Sequence, residues 1–507
     1  MPDCTRRTLK ATSIIFLGLA ACRTAEKDSR LSGHYENFSE AELLPYRGKL
    51  RVIPEFEESS AVMITVEAVD KFLLSPLLQA FKDHPLKPNV ILPMVESHYS
   101  EPPDEIKPFL NSGQFKLYPI PKNPNQIQDD ITWTRDWAPW AAVFTPGPTS
   151  QPEARFADFN YYEMRNVADE LPQVLSEKLN LKRISIPIRT EGGNFMINNR
   201  GDCMMTTGVI ERENLIKDYG AQLESYKKAR DESGFTGYDK IIARYEALVA
   251  GSTAYNRQQI EGFFSDYAGC KEVIWLRPSP SDGNQHIDLF AKFLSDDKVL
   301  VMELEDRTIA TLPRHNDPAA ELDIKVALAL LKSVQAHLNE AATLISAKGF
   351  KVVRAPLPLT MLYRDLSYDE TAKLPFIKAD SGLLDNVRSG QTIDMYALMR
   401  ERLSVHMRSY ANSLIIKPYV YVPRFRAPVT QNGSGAMAIV GGDAMPTSEY
   451  PDAALIPQYE KSVEQAYAQA NLQVMWIDAD QTVPYQGSIH CLTQQIGRLP
   501  AGSINPR

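Results

Sequence analysis

Apolar positions along the chain follow two alternating rhythms. Short apolar runs of strand length recur at residues 61–66, 90–94, 115–120, 155–162, 183–188, 203–207, 273–276, 286–294, 298–304, 352–355, 413–422 and 472–477. Many are rich in Val and Ile and bounded by Pro, Gly, Asn or Asp, as strands are. Between several of them, apolar residues recur at spacings of three and four, which predicts helices over 70–82, 319–348 and 456–470. Strands alternating with helices predict the α/β class. Two stretches depart from the rhythm. Residues 211–262 read as charged helix with sparse apolar positions, and 363–406 are mixed with few strand signals. Both are expected to be surface elaborations on one domain spanning 48–507. No identity recurs at a fixed period, so any internal repeat must be structural rather than textual.

The amino terminus changes the picture. Arg6, Arg7 and Lys10 precede the apolar stretch 11–21, ATSIIFLGLAA. This is the pattern of a secretory signal, too short to span a bilayer as a mature helix. It ends in Leu19-Ala20-Ala21-Cys22, which resembles the bacterial lipobox, with Cys22 the lipidated first mature residue. The expectation is a signal peptide at 1–21, a polar tether at 22–47, and a domain held outside the cytoplasm by its lipid alone. A plain signal peptide cleaved nearby is the alternative. No other window approaches the roughly 18 uninterrupted apolar residues of a membrane-spanning helix.

Composition adds exclusions. A formal charge of −8 and the lack of clustered Lys and Arg argue against a nucleic-acid partner. Beyond Cys4 and Cys22, the cysteines are Cys203, Cys270 and Cys491. They form either one pair and a free thiol or three free thiols.

Four segments concentrate reactive side chains. Trp133-Thr134-Arg135-Asp136-Trp137-Ala138-Pro139-Trp140 holds three of the five tryptophans around an adjacent Arg and Asp. Indole faces beside a carboxylate suit a planar cation, although a buried Arg–Asp pair under aromatics has the same signature. Thr190-Glu191-Gly192-Gly193-Asn194 places a carboxylate before paired glycines that allow close backbone approach; a simple turn reads the same way. Gln285-His286-Ile287-Asp288 would put His286 and Asp288 on one face of a strand. Gln486-Gly487-Ser488-Ile489-His490-Cys491 is a glycine-containing approach to a thiol. By itself Cys491 is as readily an inert buried cysteine. In a strand His490 would face away from Cys491, which leaves His286 free to be its partner in space. No His/Cys/Asp cluster has metal-ligand spacing.

Taken in order, Trp-x-Arg-Asp, Glu-Gly-Gly-Asn, His-x-Asp and the late Gly-x-x-His-Cys resemble the agmatine deiminase and bacterial peptidyl-arginine deiminase family. Pro54-Glu55-Phe56-Glu57 resembles that family's opening, and Ser409-Tyr410-Ala411-Asn412-Ser413-Leu414 its Asn-bearing segment. The resemblance spans roughly 50–500. It implies a five-bladed α/β propeller of ββαβ units around a central funnel. It also implies hydrolysis of a guanidinium group to a ureido group and ammonia, without metal or organic cofactor. On this reading Cys491 is the nucleophile, His286 the acid and base, and Asp136 and Asp288 the carboxylates that bind the cation. Glu191 orients His286, and Trp133 and Asn412 shape the substrate site. The sequence departs from the small-molecule enzymes at Ala138 and Gln285, where they usually carry Gly. Trp137 and Trp140 lean towards the peptidyl-arginine type. An amidinotransferase of the same fold and a catalytically silent lipoprotein binding cationic ligands are competing readings. A cysteine protease fits poorly, because an amide carbonyl needs hydrogen-bond donors where this pattern has carboxylates.

Overall fold

The computed structural model describes residues 38–96, 98–120, 131–161, 166–215, 219–233, 238–251, 254–280, 282, 284–312, 318–359, 361–365, 403–426, 436–439, 450–485 and 487–500. Cys22, the signal-like segment and most of 363–406 lie outside the described residues.

Five of the sheets repeat one order. Each has two antiparallel strands, a helical connection, and a third strand parallel to the second. In chain order of their second strands, the first joins the two ends of the sequence. Thr493–Gly497 pairs antiparallel with Ser59–Ile64, which runs parallel to Asn89–Val95. Phe115–Ile120 extends that sheet. The second has Trp140–Phe144, Glu153–Asn160 and Arg183–Arg189, with helix Asn166–Leu179 in the crossover and Leu50–Val52 on the free edge. The third has Met196–Ile197, Asp202–Thr206 and Glu272–Leu276. The fourth has Ala291–Phe293, Lys298–Glu303 and Lys351–Pro356 around helix Pro318–Ala347. The fifth has Leu414–Ile416, Tyr419–Arg424 and Gln473–Asp478 around helix Ile456–Ala468. A parallel pair needs such a crossover, because a tight hairpin can join only antiparallel strands. The α/β class read from the sequence is the one observed. Outside the five units, Met361–Asp365 pairs antiparallel with both Leu403–His406 and Ala436–Ile439.

Strands buried on both faces explain why continuous apolar runs were readable. Val299, Leu300, Val301 and Met302 are fully buried in sequence. The same rule hides polar strands: Thr493–Gly497 is buried throughout but reads TQQIG, so its strand was not foreseen. Residues 413–422 form two strands, because Lys417-Pro418 turns the chain while the apolar pattern runs on. The helix expected over 70–82 is two helices, Val66–Lys71 and Ser75–Asp83. Leu73 adopts φ +53° between them, and the spacing carried through because both helices bury residues in one core.

The folded chain begins ahead of residue 48. Ser39 caps Glu40–Leu43, and Leu43 and Tyr46 are buried among residues of the second and third units. Within 211–262, helices Tyr219–Ser233 and Tyr238–Gly251 share a small cluster of Leu223, Ile242 and Tyr245. Helix Arg257–Ala268 instead sends Ile260, Phe264 and Tyr267 into the core shared by the second and third units. Of the two states open to Cys203 and Cys270, the structure has the disulfide. It closes a loop 67 residues long, worth about 4 kcal/mol if it acts through unfolded-chain entropy. No helix among the described residues is long and apolar enough to cross a membrane.

Candidate active site

Each of the five units delivers a polar residue from the segment that leads into its first strand. Cys491 stands before Thr493–Gly497, and Asp136 before Trp140–Phe144 in the helical turn Thr134–Trp137. Glu191 precedes Met196–Ile197, Asp288 precedes Ala291–Phe293, and Asn412 precedes Leu414–Ile416. Equivalent positions in a repeated unit can approach one another, however far apart in sequence.

Cys491 is the free cysteine among the described residues, and it is 4% exposed. Asn412 clamps it twice. Its Nδ2 donates to Sγ at 3.0 Å, and its Oδ1 accepts from the Cys491 amide at 3.3 Å. The thiol faces Asp288 Oδ2 at 3.4 Å. Burial, then the negative charge of Asp288, push the thiol up to about 12, although contact with His286 pulls the other way. At rest, therefore, it is a protonated thiol.

On one side of the thiol stands His286. Its Nε2 makes a very short contact with Glu191, and its Nδ1 lies 4.0 Å from Asp136 Oδ1. Burial disfavours the imidazolium, but the Glu191 charge, the hydrogen bonds to Cys491 and Glu191, and Asp136 outweigh it and raise His286 well above the usual histidine range. The paired glycines earn their place here sterically. A Cβ on Gly192 would lie 2.0 Å from the Arg135 carbonyl oxygen, and one on Gly193 would lie 2.5 Å from His286 Nδ1. Asp282, which the sequence did not mark, accepts the backbone amides of His286 at 2.5 Å and Asn284 at 2.8 Å. Burial pushes it up to about 6.

On the other side stands His490, fully buried. Its Nδ1 is 2.6 Å from Asp288 Oδ2, and its Nε2 is 2.8 and 2.9 Å from the two oxygens of Glu55. Glu55 also accepts from Arg135 and, at 3.2 Å, from Lys292 Nζ. Burial opposes ionisation of Glu55, but Arg135, His490 and Lys292 hold it well below the usual carboxylate range. Asp288 is lowered by the same contest, with the His490 hydrogen bond foremost against burial.

Several local expectations give way. His286 and Asp288 do not share a strand face, since Ile287–Leu289 is a 3-10 turn and the strand starts at Ala291. They meet the thiol because the turn bends both inward. Likewise His490 lies in a turn ahead of the strand, so it does not face away from the site. Arg135 pairs with Glu55 rather than Asp136. Trp137 donates to the Ile131 carbonyl, and Trp140 packs on Phe159 and Phe195, so both belong to the core. Trp133 alone of the three stays half-buried, against Phe72 and beside Gly487. Gln285 has φ +63°, a conformation suited to glycine, whereas Ala138 at φ −72° needs none. Glu55 and His490 were visible only as parts of motifs. Lys292 and Asp282 carried no signal, because single charges near apolar runs are ordinary. Among the described residues no group of three or more His, Cys, Asp or Glu is arranged to hold a metal ion.

Comparison with known proteins meets the resemblance read from the motifs. Residues 241–446 match the family model for Porphyromonas-type peptidyl-arginine deiminase. That span is less than half of the chain. It contains His286, Asp288 and Asn412 but not Asp136, Glu191 or Cys491. No curated protein matches the sequence. The agmatine deiminase of Enterococcus faecalis is similar in fold, with a TM-score of 0.52 and 15% identity over 89% of this chain and 96% of that one. C. jejuni agmatine deiminase aligns at a TM-score of 0.48 with 15% identity, over 89% of this chain and 96% of its own. At this identity the likeness concerns fold. The chain shares the α/β fold of the Enterococcus faecalis agmatine deiminase structure.

Proposed function

We propose that the protein is a hydrolase that deiminates a guanidinium group through a covalent intermediate on Cys491. One observation carries the reading: a buried thiol set beside a carboxylate that has an oxygen to spare. Asp288 Oδ1 is buried with no hydrogen-bond partner among the described residues, while its Oδ2 is already engaged. A carboxylate edge of this kind is what a planar cation with several N–H donors requires. Asp136, near His286, supplies a second negative charge at the thiol.

The charges explain how a thiol near 12 becomes a nucleophile. Its elevation is due first to burial and then to the Asp288 charge, with Asp136 adding to it. A bound guanidinium neutralises both carboxylates and favours the thiolate, so the substrate cation enters as the thiol proton leaves to solvent. The thiolate attacks the guanidinium carbon and an S–C bond forms. His286, held protonated by Glu191, donates its proton to the departing nitrogen, the C–N bond breaks and ammonia leaves. Neutral His286 then takes a proton from water, whose oxygen adds to the same carbon. The S–C bond breaks as the added hydroxyl gives its remaining proton to solvent, returning the thiolate and a neutral ureido product.

The five units are read as the blades of a closed propeller. Pairing of Ser59–Ile64 with Thr493–Gly497, which joins the chain ends, supports closure. The signal-like amino terminus supports an exported lipoprotein anchored through Cys22, and the Cys203–Cys270 disulfide suits an oxidising compartment. That address favours arginine in peptides, or scavenged arginine or agmatine, as substrate. Detergent-phase partition tests the anchor: a Cys22→Ala chain that still enters the detergent phase overturns it.

The activity test measures ammonia and ureido product from agmatine, free arginine and an arginine-containing peptide, with Cys491→Ser alongside. Turnover abolished in the variant establishes the reaction. Ammonia released equally by the variant removes Cys491 as nucleophile, and silence on all three substrates returns the amidinotransferase and ligand-binding readings.

A further inference from the structure

Behind the thiol lies a second polar assembly that the reaction above does not use. His490, Asp288 and Arg135 are fully buried, and Lys292 nearly so. Both ring nitrogens of His490 are committed, Nδ1 to Asp288 Oδ2 and Nε2 to both oxygens of Glu55. Both nitrogens are thus occupied by carboxylates of the protein. Glu55 is itself braced by Arg135 and Lys292. Arg135 ties this assembly to the nucleophile: its amide donates to the Cys491 carbonyl at 3.0 Å and its Nε to the His490 carbonyl at 3.4 Å.

We propose that His490 and Glu55 form a positioning unit that fixes the Asp288 carboxylate, committing its Oδ2 to the protein and presenting its Oδ1 to the substrate cation. The proposal rests on the deiminase reading of the same site. The geometry favours it over a purely structural ion pair because the chain of contacts terminates at the reacting atom. Asp288 Oδ2 is shared between His490 and the Cys491 thiol. Remove His490, and the thiol is the remaining described partner of that oxygen. The carboxylate is then free to turn Oδ1 away from the substrate, and it loses the donor that favours its ionised form.

Steady-state kinetics on the full chain test this, with the arginyl peptide, arginine and agmatine as substrates. His490→Ala raises KM about tenfold or more, the scale of a hydrogen bond to a charged group, and moves the acidic limb of kcat/KM to higher pH. His490→Asn, whose side-chain amide can replace Nδ1 but cannot reach Glu55, recovers most of KM. Glu55→Gln shifts both quantities in the same direction by less. A fall in kcat alone, with KM and the acidic limb unmoved, overturns the proposal and leaves His490 a structural residue. A second readout needs no turnover: the rate at which iodoacetamide alkylates Cys491 at one mildly alkaline pH. Without His490 the Asp288 charge is uncompensated, so less thiolate forms and alkylation slows. Should the wild type turn over none of the substrates, the deiminase reading fails, while the alkylation contrast still decides the positioning unit. Equal alkylation in wild type, His490→Ala and Glu55→Gln overturns it. Glu55→Gln is nearly isosteric and keeps the test open if His490→Ala does not fold.

Discussion

Two buried histidines flank Cys491, and the protein holds them in opposite ways. His490 has carboxylate oxygens within 2.9 Å of both ring nitrogens. His286 has one nitrogen on Glu191, while its other nitrogen lies 4.0 Å from Asp136 and the ring also contacts the thiol. The first has a protein carboxylate on each nitrogen, whereas the second has a carboxylate on one and keeps contact with the reacting thiol. A ring with a carboxylate on each nitrogen serves as a fixed partner. A partly engaged one can give up its proton and take it back. Residue type therefore does not assign the roles; hydrogen-bond occupancy does.

The comparison breaks most visibly at the rings themselves. His286→Gln is expected to lower kcat by about 10²–10⁴-fold, the usual loss of a general acid–base group, while His490→Gln acts mainly on KM. Saturation kinetics on both variants decide this, and equal losses in kcat would erase the distinction. Next comes Gly193→Ala. Its new Cβ sits 2.5 Å from His286 Nδ1 and must displace the ring, for a loss of about 10- to 100-fold in kcat. The atoms nearest the new Cβ all belong to His286, so KM should follow wild type.

Glu191→Gln sharpens the comparison through pH. Glu191 is the largest influence raising His286, so neutralising it moves the basic limb of kcat/KM to lower pH. Stability follows the same sign. A histidine raised on folding stabilises fully below its unfolded value of about 6.5, and the benefit is lost as pH rises through the folded value. Urea midpoints measured across neutral and alkaline pH should fall in the wild type and fall less in Glu191→Gln. A wild-type midpoint flat with pH would contradict the raised His286. The smallest effect is expected at Gln285. Its φ of +63° costs a non-glycine residue about 1 kcal/mol, so Gln285→Gly should stabilise by roughly that amount in denaturant titration and leave kcat unchanged.

Much of this was legible beforehand, and the failures share a cause. Strands such as Lys298–Glu303 were readable because burial on both faces demands apolar side chains. Thr493–Gly497 was not, because its buried side chains are polar: the amide nitrogens of Gln494 and Gln495 donate to the distant carbonyls of Pro139 and Glu57, and Thr493 donates to Ile489. The candidate residues Cys491, His286, Asp288, Asp136, Glu191 and Asn412 were nameable from short motifs. The pairing of Arg135 with Glu55, 80 positions away, was not. Neither was the placement of Trp137 and Trp140 in the core, since an indole beside a carboxylate reads alike whether it faces a ligand or packs against phenylalanine.

The chain alone carried the alternation of strand and helix, the amino-terminal signal pattern and the list of reactive side chains, because each depends on near neighbours. The convergence of those side chains belongs to the fold. Five equivalent segments, scattered between residues 136 and 491, meet because each leads into the first strand of a repeated unit. Which histidine is locked and which is free depends in turn on carboxylates up to 435 residues away. Only long-range packing brings such groups within hydrogen-bonding distance.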